Sequence, residues 1–236
     1  MKYYFEKITD HVYGFLLWDE SWNSYNNCYL VMGDNGYTLI DSGKEEHFDY
    51  LEASLTEINL NKDEIFAFIA THGHKDHIGG LSFLENIKSY IHSEDLSLVP
   101  ENLKTTLTGT LPDNGAAING LECILLGHHT PGSVALFHQE SGVLFCGDHL
   151  CFFGDPLPNE KIAGNGKEMK DKYVKFISEW AKNEEMRSKH HFELFMEGLK
   201  KLREIRPSIL CTGHGVVIRD DVDSFLSDLI QGSLYS

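Results

Sequence analysis

Apolar positions in the first 41 residues fall into short blocks. Tyr3 to Ile8, Val12 to Leu17, Cys28 to Met32 and Tyr37 to Ile40 are runs of strand length, parted by turn residues such as Gly33-Asp34-Asn35-Gly36. This spacing predicts a β meander. Trp18-Asp19-Glu20-Ser21-Trp22-Asn23-Ser24-Tyr25-Asn26 reads as a polar-aromatic loop between the second and third runs. Phe48, Leu51, Leu55 and Ile58 recur at helical spacing and predict a helix over 45–59 with one apolar face. Ile65 to Ala70 is a strand, Leu81, Phe83, Leu84 and Ile87 begin a helix, and Tyr90-Ile91-His92 is a short strand.

Residues 94–120 show no clear period and read as irregular, with room for one short helix and a turn at Pro112-Asp113-Asn114-Gly115. Strands follow at Leu121 to Leu126, Val134 to His138 and Val143 to Cys146. A loop rich in Pro, Gly and Asn is expected over 155–166. Two amphipathic helices come next, one carrying Met169, Tyr173, Phe176, Ile177 and Trp180, the other Phe192, Phe195, Met196, Leu199 and Leu202. Pro207 stops the second, Ser208 to Cys211 is a strand, and a helix through Val222, Phe225, Leu226, Leu229 and Ile230 closes the pattern. Strands then helices occur twice over. Two such halves pack sheet on sheet with helices outside, which predicts a mixed α/β (α+β) fold of four layers, a single domain over 1–236.

Composition changes this picture little, but charge narrows the function. The formal net charge is −16. A field of that sign repels nucleic-acid backbones, so no nucleic-acid partner is expected. The imbalance is local: Lys161 to Arg206 holds 12 Lys and Arg against 8 Asp and Glu, leaving the remainder at −20. The N-terminal residues lack an apolar core of signal-peptide length, and no run of about 18 apolar residues marks a membrane span. The five cysteines are dispersed and odd in number, and read as free buried thiols. Together these features predict a cytoplasmic protein with no membrane contact.

The chemistry concentrates in Thr71-His72-Gly73-His74-Lys75-Asp76-His77, where four strong metal ligands follow directly on a predicted strand. His72 and His74, two apart, can converge on one ion, whereas Asp76 and His77 are offset. Two adjacent ions are therefore the natural reading. Each needs more ligands, and three glycine-bearing loops after strands offer them at His129, Asp148 and His214. A closed structural zinc site would be rich in thiolates, and this set has none. Imidazoles and carboxylates suit zinc, taken first here, and also iron or manganese.

These residues resemble the metallo-β-lactamase-fold hydrolase superfamily, in its glyoxalase II-like and lactonase-like branch. The motifs are His72-Gly73-His74-Lys75-Asp76-His77, His129-Thr130-Pro131-Gly132, Cys146-Gly147-Asp148 and Thr212-Gly213-His214-Gly215, with Leu39-Ile40-Asp41-Ser42-Gly43 as a supporting aspartate segment. The resemblance runs from about Asn26 to Val217 and implies an αββα sandwich with a binuclear centre. It implies that His72, His74 and His129 hold one metal, that Asp76, His77 and His214 hold the other, and that Asp148 bridges them. Asp41 accepts an N–H from a ligating histidine. The implied activity is hydrolysis of a small ester, thioester or lactone by a metal-bridging hydroxide, with Asp76 and Asp148 as the catalytic carboxylates.

One departure is Ser133, which stands where glyoxalase II-like thioesterases often have histidine after His-Thr-Pro-Gly. Another is the helical insert at about 155–206, which serves either as a cover that selects substrate or as a buttress of the fold or of a homodimer interface. Trp18, Trp22, Tyr25, Phe152 and Phe153 are expected to wall the mouth of the cleft against a small-molecule substrate. Two competing activities on the same fold are a mononuclear iron persulfide dioxygenase, needing His72, His74, His129 and Asp148, and a phosphodiesterase.

Overall fold

A computed structural model describes residues 2–154, 157, 162–164 and 167–232. Seven strands form the first sheet: β1 (Tyr3–Lys7), β2 (Val12–Asp19), β3 (Ser24–Gly33), β4 (Gly36–Ile40), β5 (Ile65–Ile69), β6 (Lys88–His92) and β7 (Gly109–Leu111), neighbours in sequence order. β1 to β4 pair antiparallel, and β4 to β7 pair parallel. The second sheet holds β8 (Asn114–Ala116), β9 (Leu121–Leu125), β10 (Val134–His138), β11 (Val143–Phe145), β12 (Ala163–Gly164), β13 (Ile209–Cys211) and β14 (Val217–Arg219), in the order β12-β14-β13-β11-β10-β9-β8. The helices are α1 (Phe48–Glu57), α2 (Lys75–Ile78), α3 (Glu101–Lys104), α4 (Lys167–Lys182), α5 (Glu184–Lys189), α6 (Phe192–Glu204) and α7 (Val222–Gly232).

The layers follow from side-chain parity, because alternate residues of a strand face opposite sides of a sheet. Along β2, Phe15 and Leu17 join α1's Phe48, Leu51 and Leu55 in an outer core, while Leu16 faces the other sheet. Tyr29, Val31, Leu136, Phe145 and Cys211 meet Leu16 in the core between the sheets. Ala135, Leu144 and Leu210 turn the other way, onto α4, α6 and α7. Three apolar cores thus separate four layers, the αββα sandwich that the pattern predicts. Central strands buried on both faces read as unbroken apolar runs rather than alternations.

Several local expectations need correction. The polar-aromatic loop is mostly strand, since β2 and β3 extend through Trp18↔Tyr25 and Asp19↔Ser24, leaving only Glu20–Asn23 as the turn. Asn26 and its neighbour Asn27 are buried inside the fold, whereas Asn23 in the turn is exposed. The Asn27 amide donates to the carbonyls of Thr212 and Gly215, at 2.9 and 2.8 Å. The helix expected from Leu81 is a single 3-10 segment, Gly79–Phe83. Gly79 and Gly80 pack against the backbone of Ser42 to Glu45, so closely that a Cβ on Gly80 would stand 2.6 Å from the Ser42 carbonyl. The stretch 94–120 holds the one short helix expected there, α3, but also supplies the strands β7 and β8 where irregular chain was expected.

The helical insert is a layer of the sandwich. Ile177, Trp180, Phe192, Phe195, Met196, Leu199 and Leu202 are buried with Phe225, Leu226 and Leu229 of α7 over the second sheet. The loop expected over 155–166 and the side chain of Met169 lie largely outside the described residues, although β12 within that stretch pairs with Val217 and Ile218. A substitution separates a layer from a detachable cover. Leu199→Ala, at a fully buried site, is expected to cost about 2–5 kcal/mol of global stability in urea unfolding. A loss below about 1 kcal/mol would mean that the insert does not carry the core.

Candidate metal centre

Every candidate ligand leaves the end of a strand. β5 runs into Thr71-His72-Gly73-His74, and the single turn of α2 then carries Asp76 and His77. His129 follows β9, Asp148 follows β11 and His214 follows β13. β10 is antiparallel to both β9 and β11, and β11 is parallel to β13, so these three ligand strands point one way. Their ends gather at one edge, where loops rather than ladders supply the groups. Two backbone bonds stitch the sheets at that edge: Val134 N donates to the Thr71 carbonyl and Asn27 N to the Gly213 carbonyl, each at 2.9 Å.

The donor atoms converge in two groups, His72, His74 and His129 in one, and Asp76, His77, Asp148 and His214 in the other. In the first, His74 Nδ1 lies 3.1 Å from His72 Nε2 and 3.0 Å from His129 Nε2. In the second, His77 Nε2 is 3.4 Å from Asp76 Oδ2 and 3.2 Å from Asp148 Oδ1. His214 Nε2 is 3.4 Å from Asp76 Oδ2 and 3.2 Å from Asp148 Oδ2. Asp148 Oδ2 also stands 3.4 Å from His129 and 4.0 Å from His72, so one carboxylate lies between the groups. Donor atoms around a tetrahedral zinc ion stand about 3.3 Å apart, close to these separations. Asp76 Oδ2, His77 Nε2 and Asp148 Oδ1 are buried and make no hydrogen bond. Buried orphan atoms of this kind are costly unless a cation meets them. The residues present therefore fit a metal site.

Hydrogen bonds behind the ligands fix which ring nitrogen faces inward. The Thr71 hydroxyl donates to Asp41 Oδ2 at 2.8 Å, so toward His72 Nδ1, 3.2 Å away, it accepts. His72 Nε2 is then free of its proton on the site side. His77 Nδ1 donates to Asp41 Oδ2 at 2.8 Å, and His214 Nδ1 donates to the Tyr25 carbonyl at 2.9 Å. Partners of this type orient a ligating imidazole and raise its basicity. Asp41 also accepts the Thr71 N–H at 2.8 Å. Asp95, fully buried, joins two ligand loops: it accepts from Gly73 N at 2.8 Å, Thr130 Oγ1 at 2.7 Å and Gly132 N at 2.7 Å. Nothing in the chain's motifs points to Asp95. Gly213 has a simpler duty: a Cβ there would lie 2.0 Å from Asp148 Oδ1.

Burial and charge set the protonation of the metal-free centre. Burial holds His72 and His129 below the usual imidazole range. Burial would also lower His77, but Asp148 and Asp41 outweigh it and raise that ring well above the range. His214 is raised to about 9, Asp148 overcoming burial. For Asp148 burial favours the neutral acid, yet His214 and His77 hold its carboxyl well below the ordinary range, and Asp76 is lowered in the same way.

The expected aromatic wall is only partly realised. Trp22 and Phe153 are exposed and lie against His214, with ring centroids 5.5 and 4.4 Å from it. Phe152 is not in the wall. It is 1% exposed and packs on Tyr173 and Phe225, because its neighbour Phe153 takes the side of the chain that faces the site. Trp18 and Tyr25 pack edge-on against each other, and Tyr25 serves through its carbonyl. His128 and His149 meet edge to face, with ring centroids 5.3 Å apart.

The sequence profile described as the Metallo-beta-lactamase superfamily matches residues 21–214, a span that holds all seven donors. The chain belongs to this superfamily. Among curated relatives, Bacillus subtilis YobT, named only as an uncharacterized protein, is 26% identical over 215 residues, covering 82% of this chain and 84% of its own. The coenzyme F420H(2) oxidase of Methanothermobacter marburgensis is 31% identical over 179 residues, 64% of this chain but only 44% of the oxidase. The B. subtilis probable metallo-hydrolase YflN is 24% identical over 232 residues, covering 84% of this chain and 81% of its own. Among solved structures, a flavo di-iron protein mutant from Thermotoga maritima superposes with a TM-score of 0.78 at 19% identity, covering 97% of this chain and 60% of that one. At that identity the likeness is one of fold. No helix among the described residues is long and apolar enough to cross a membrane.

Three outcomes follow for this candidate metal site. With His77 and His214 raised above the ordinary imidazole range in the metal-free protein, metal loading at pH 7 is expected to displace at least about two protons per chain, read by calorimetry in buffers of different ionisation enthalpy; no proton release would contradict the assignment. By the same linkage, the raised histidines stabilise the metal-free fold fully below their ordinary value of 6.5, and His214's share is lost as pH rises through about 9. The depressed Asp76 and Asp148 contribute above their ordinary 3.8 and lose that share in acid. Asp95→Ala strips the partner from three buried donors. It is expected to cost at least about 3 kcal/mol and to weaken metal binding about 10–100-fold, measured by unfolding and chelator competition.

Proposed function

We propose that the protein is a metal-dependent hydrolase of a small ester, thioester or lactone. His72, His74 and His129 on one side and Asp76, His77 and His214 on the other would hold two divalent ions, zinc first, with Asp148 placed between the two groups. The observation that carries this reading is the position of the Asp148 carboxylate, with one oxygen toward His77 and the other within 3.2–4.0 Å of His214, His129 and His72. Two divalent ions held there would supply hydroxide near neutral pH and an electrophile for the scissile carbonyl.

The chain's own residues do the rest. Asp76 keeps an ionised oxygen at the site despite its burial, 3.4 Å from His77 and from His214, an acceptor suited to orient an attacking water. Trp22 and Phe153 give an apolar wall beside His214 that excludes water and seats the non-reacting part of a substrate. Five neutral imidazoles and two carboxylates bring only two negative charges to the centre. That leaves two divalent ions strongly electrophilic, which suits hydrolysis.

The likeness to F420H(2) oxidases and to a flavo di-iron protein raises a second reading, oxygen chemistry at paired iron. The donor set favours it less. Di-iron carboxylate centres in helical bundles bring four glutamates and two histidines, enough anionic charge for ferric ions, whereas here imidazoles predominate. A mononuclear site would leave Asp76, His77 and His214 converged without an ion.

The test is metal analysis of freshly purified protein followed by a panel of esters, thioesters, lactones and phosphodiesters, with oxygen uptake measured in parallel. The reading predicts zinc at about two per chain, cleavage of an acyl substrate and no oxygen uptake. His74→Ala is expected to abolish turnover while the fold persists by circular dichroism. Iron with oxygen uptake and no hydrolysis would overturn it.

A further inference from the structure

A cavity of about 490 Å³ opens beside His129, between the loop after β9 and the helical insert. Its size is that of a small-ligand pocket. Phe176, half exposed, with Trp180 and Met186, supplies an apolar side. Lys189, His190 and His191 supply the other. The wall is rigid where it meets the metal loop: His128 Nε2 donates to the His190 carbonyl at 3.0 Å, and Trp180 Nε1 donates to the Met186 carbonyl at 3.0 Å. Arg187 is engaged by Glu193, whereas Lys189 makes no ion pair among the described residues.

The charge of this cavity is exceptional for the molecule. The chain carries 36 acidic residues against 20 basic ones, yet no acid lines this pocket. The three other cavities described each include acids: Asp49, Glu52 and Glu64 in one, Glu204 and Asp223 in another, Asp34 and Glu140 in the third. An acid-free, lysine-bearing, aromatic pocket that ends on a candidate metal ligand selects a ligand with an apolar body and an anionic tip. We propose, building on the hydrolase reading, that the substrate is an acyl compound bearing a free carboxylate. Its apolar segment lies on Phe176 and Trp180, its carboxylate meets Lys189, and its scissile carbonyl reaches the metals past His129. The insert thereby determines specificity as well as completing the fold.

Two arms test this on the zinc-loaded protein. In the first, 4-nitrophenyl hydrogen glutarate and 4-nitrophenyl valerate are compared. The wild type is expected to prefer the glutarate in kcat/KM, and Lys189→Glu to lower the glutarate-to-valerate ratio about tenfold. Lys200→Glu, the same change of net charge at an exposed site on α6 that lines another cavity, is expected to leave the ratio alone. In the second arm, binding of 3-phenylpropionate and its neutral amide is measured by calorimetry. Lys189→Glu weakens the carboxylate selectively, and Phe176→Ala weakens both. A ratio that Lys189→Glu and Lys200→Glu shift equally, or phenylpropionate binding untouched by both pocket substitutions, overturns the pocket assignment. If neither ester is cleaved and the wider acyl panel is inert as well, the hydrolase reading fails, and the binding arm alone decides the pocket.

Discussion

A carboxylate that does not enter either donor group holds the site in shape. Asp41, at the end of β4, accepts from the Thr71 backbone, the Thr71 hydroxyl and His77 Nδ1. Those three bonds determine where the ligand loop leaves β5 and which nitrogen His77 turns inward. Through Thr71 they also set the face of His72. Asp41 sits at a φ of 57°, a left-handed conformation that asparagine and aspartate tolerate better than other side chains. A buried charge is affordable only when it is fully hydrogen-bonded, and this one is satisfied by groups that would otherwise be unpaired themselves.

The same economy recurs around the site. Asp95 ties the His72–His74 loop to the His129 loop, and Asn27 with the Tyr29 hydroxyl ties the His214 loop to β3. Polar residues in a β sandwich are usually liabilities; here each binds backbone atoms of a ligand loop. The result is a set of five imidazoles and two carboxylates whose facing lone pairs have no mutual solution except protons or cations. That is the physical reason for reading the edge as a metal centre, and it is independent of the superfamily match.

How much of this was legible in the chain depended on how local each signal was. The strands with apolar runs and the helices with clear periods, α1, α6 and α7, could be read because burial on one or both faces leaves a period in the sequence. The seven candidate ligands were legible because four cluster within six residues after a strand and the other three sit in glycine-bearing loops that follow strands. Trp18 to Asn26 was read as a loop because Asn26 and its neighbour Asn27 find their partners far along the chain, at His47 and, nearly 190 positions away, at Gly215. Asp95 was invisible for the same reason: its partners Gly73 and Gly132 come from two different loops. Phe152 and Phe153 are identical in type and adjacent, so only the path of the chain decides that one joins the core and the other faces His214. The insert's periods marked helices, but not that they form the outer layer of the second sheet and also border a cavity free of acids.

The central claim is that both donor groups must be filled for acyl hydrolysis. The most direct measurement is titration of metal-free protein with zinc while following cleavage of an activated ester. If the shared Asp148 carboxylate unites two ions in one catalytic centre, activity should rise until about two equivalents are bound. Full activity at about one equivalent, or none at any zinc loading, would contradict it.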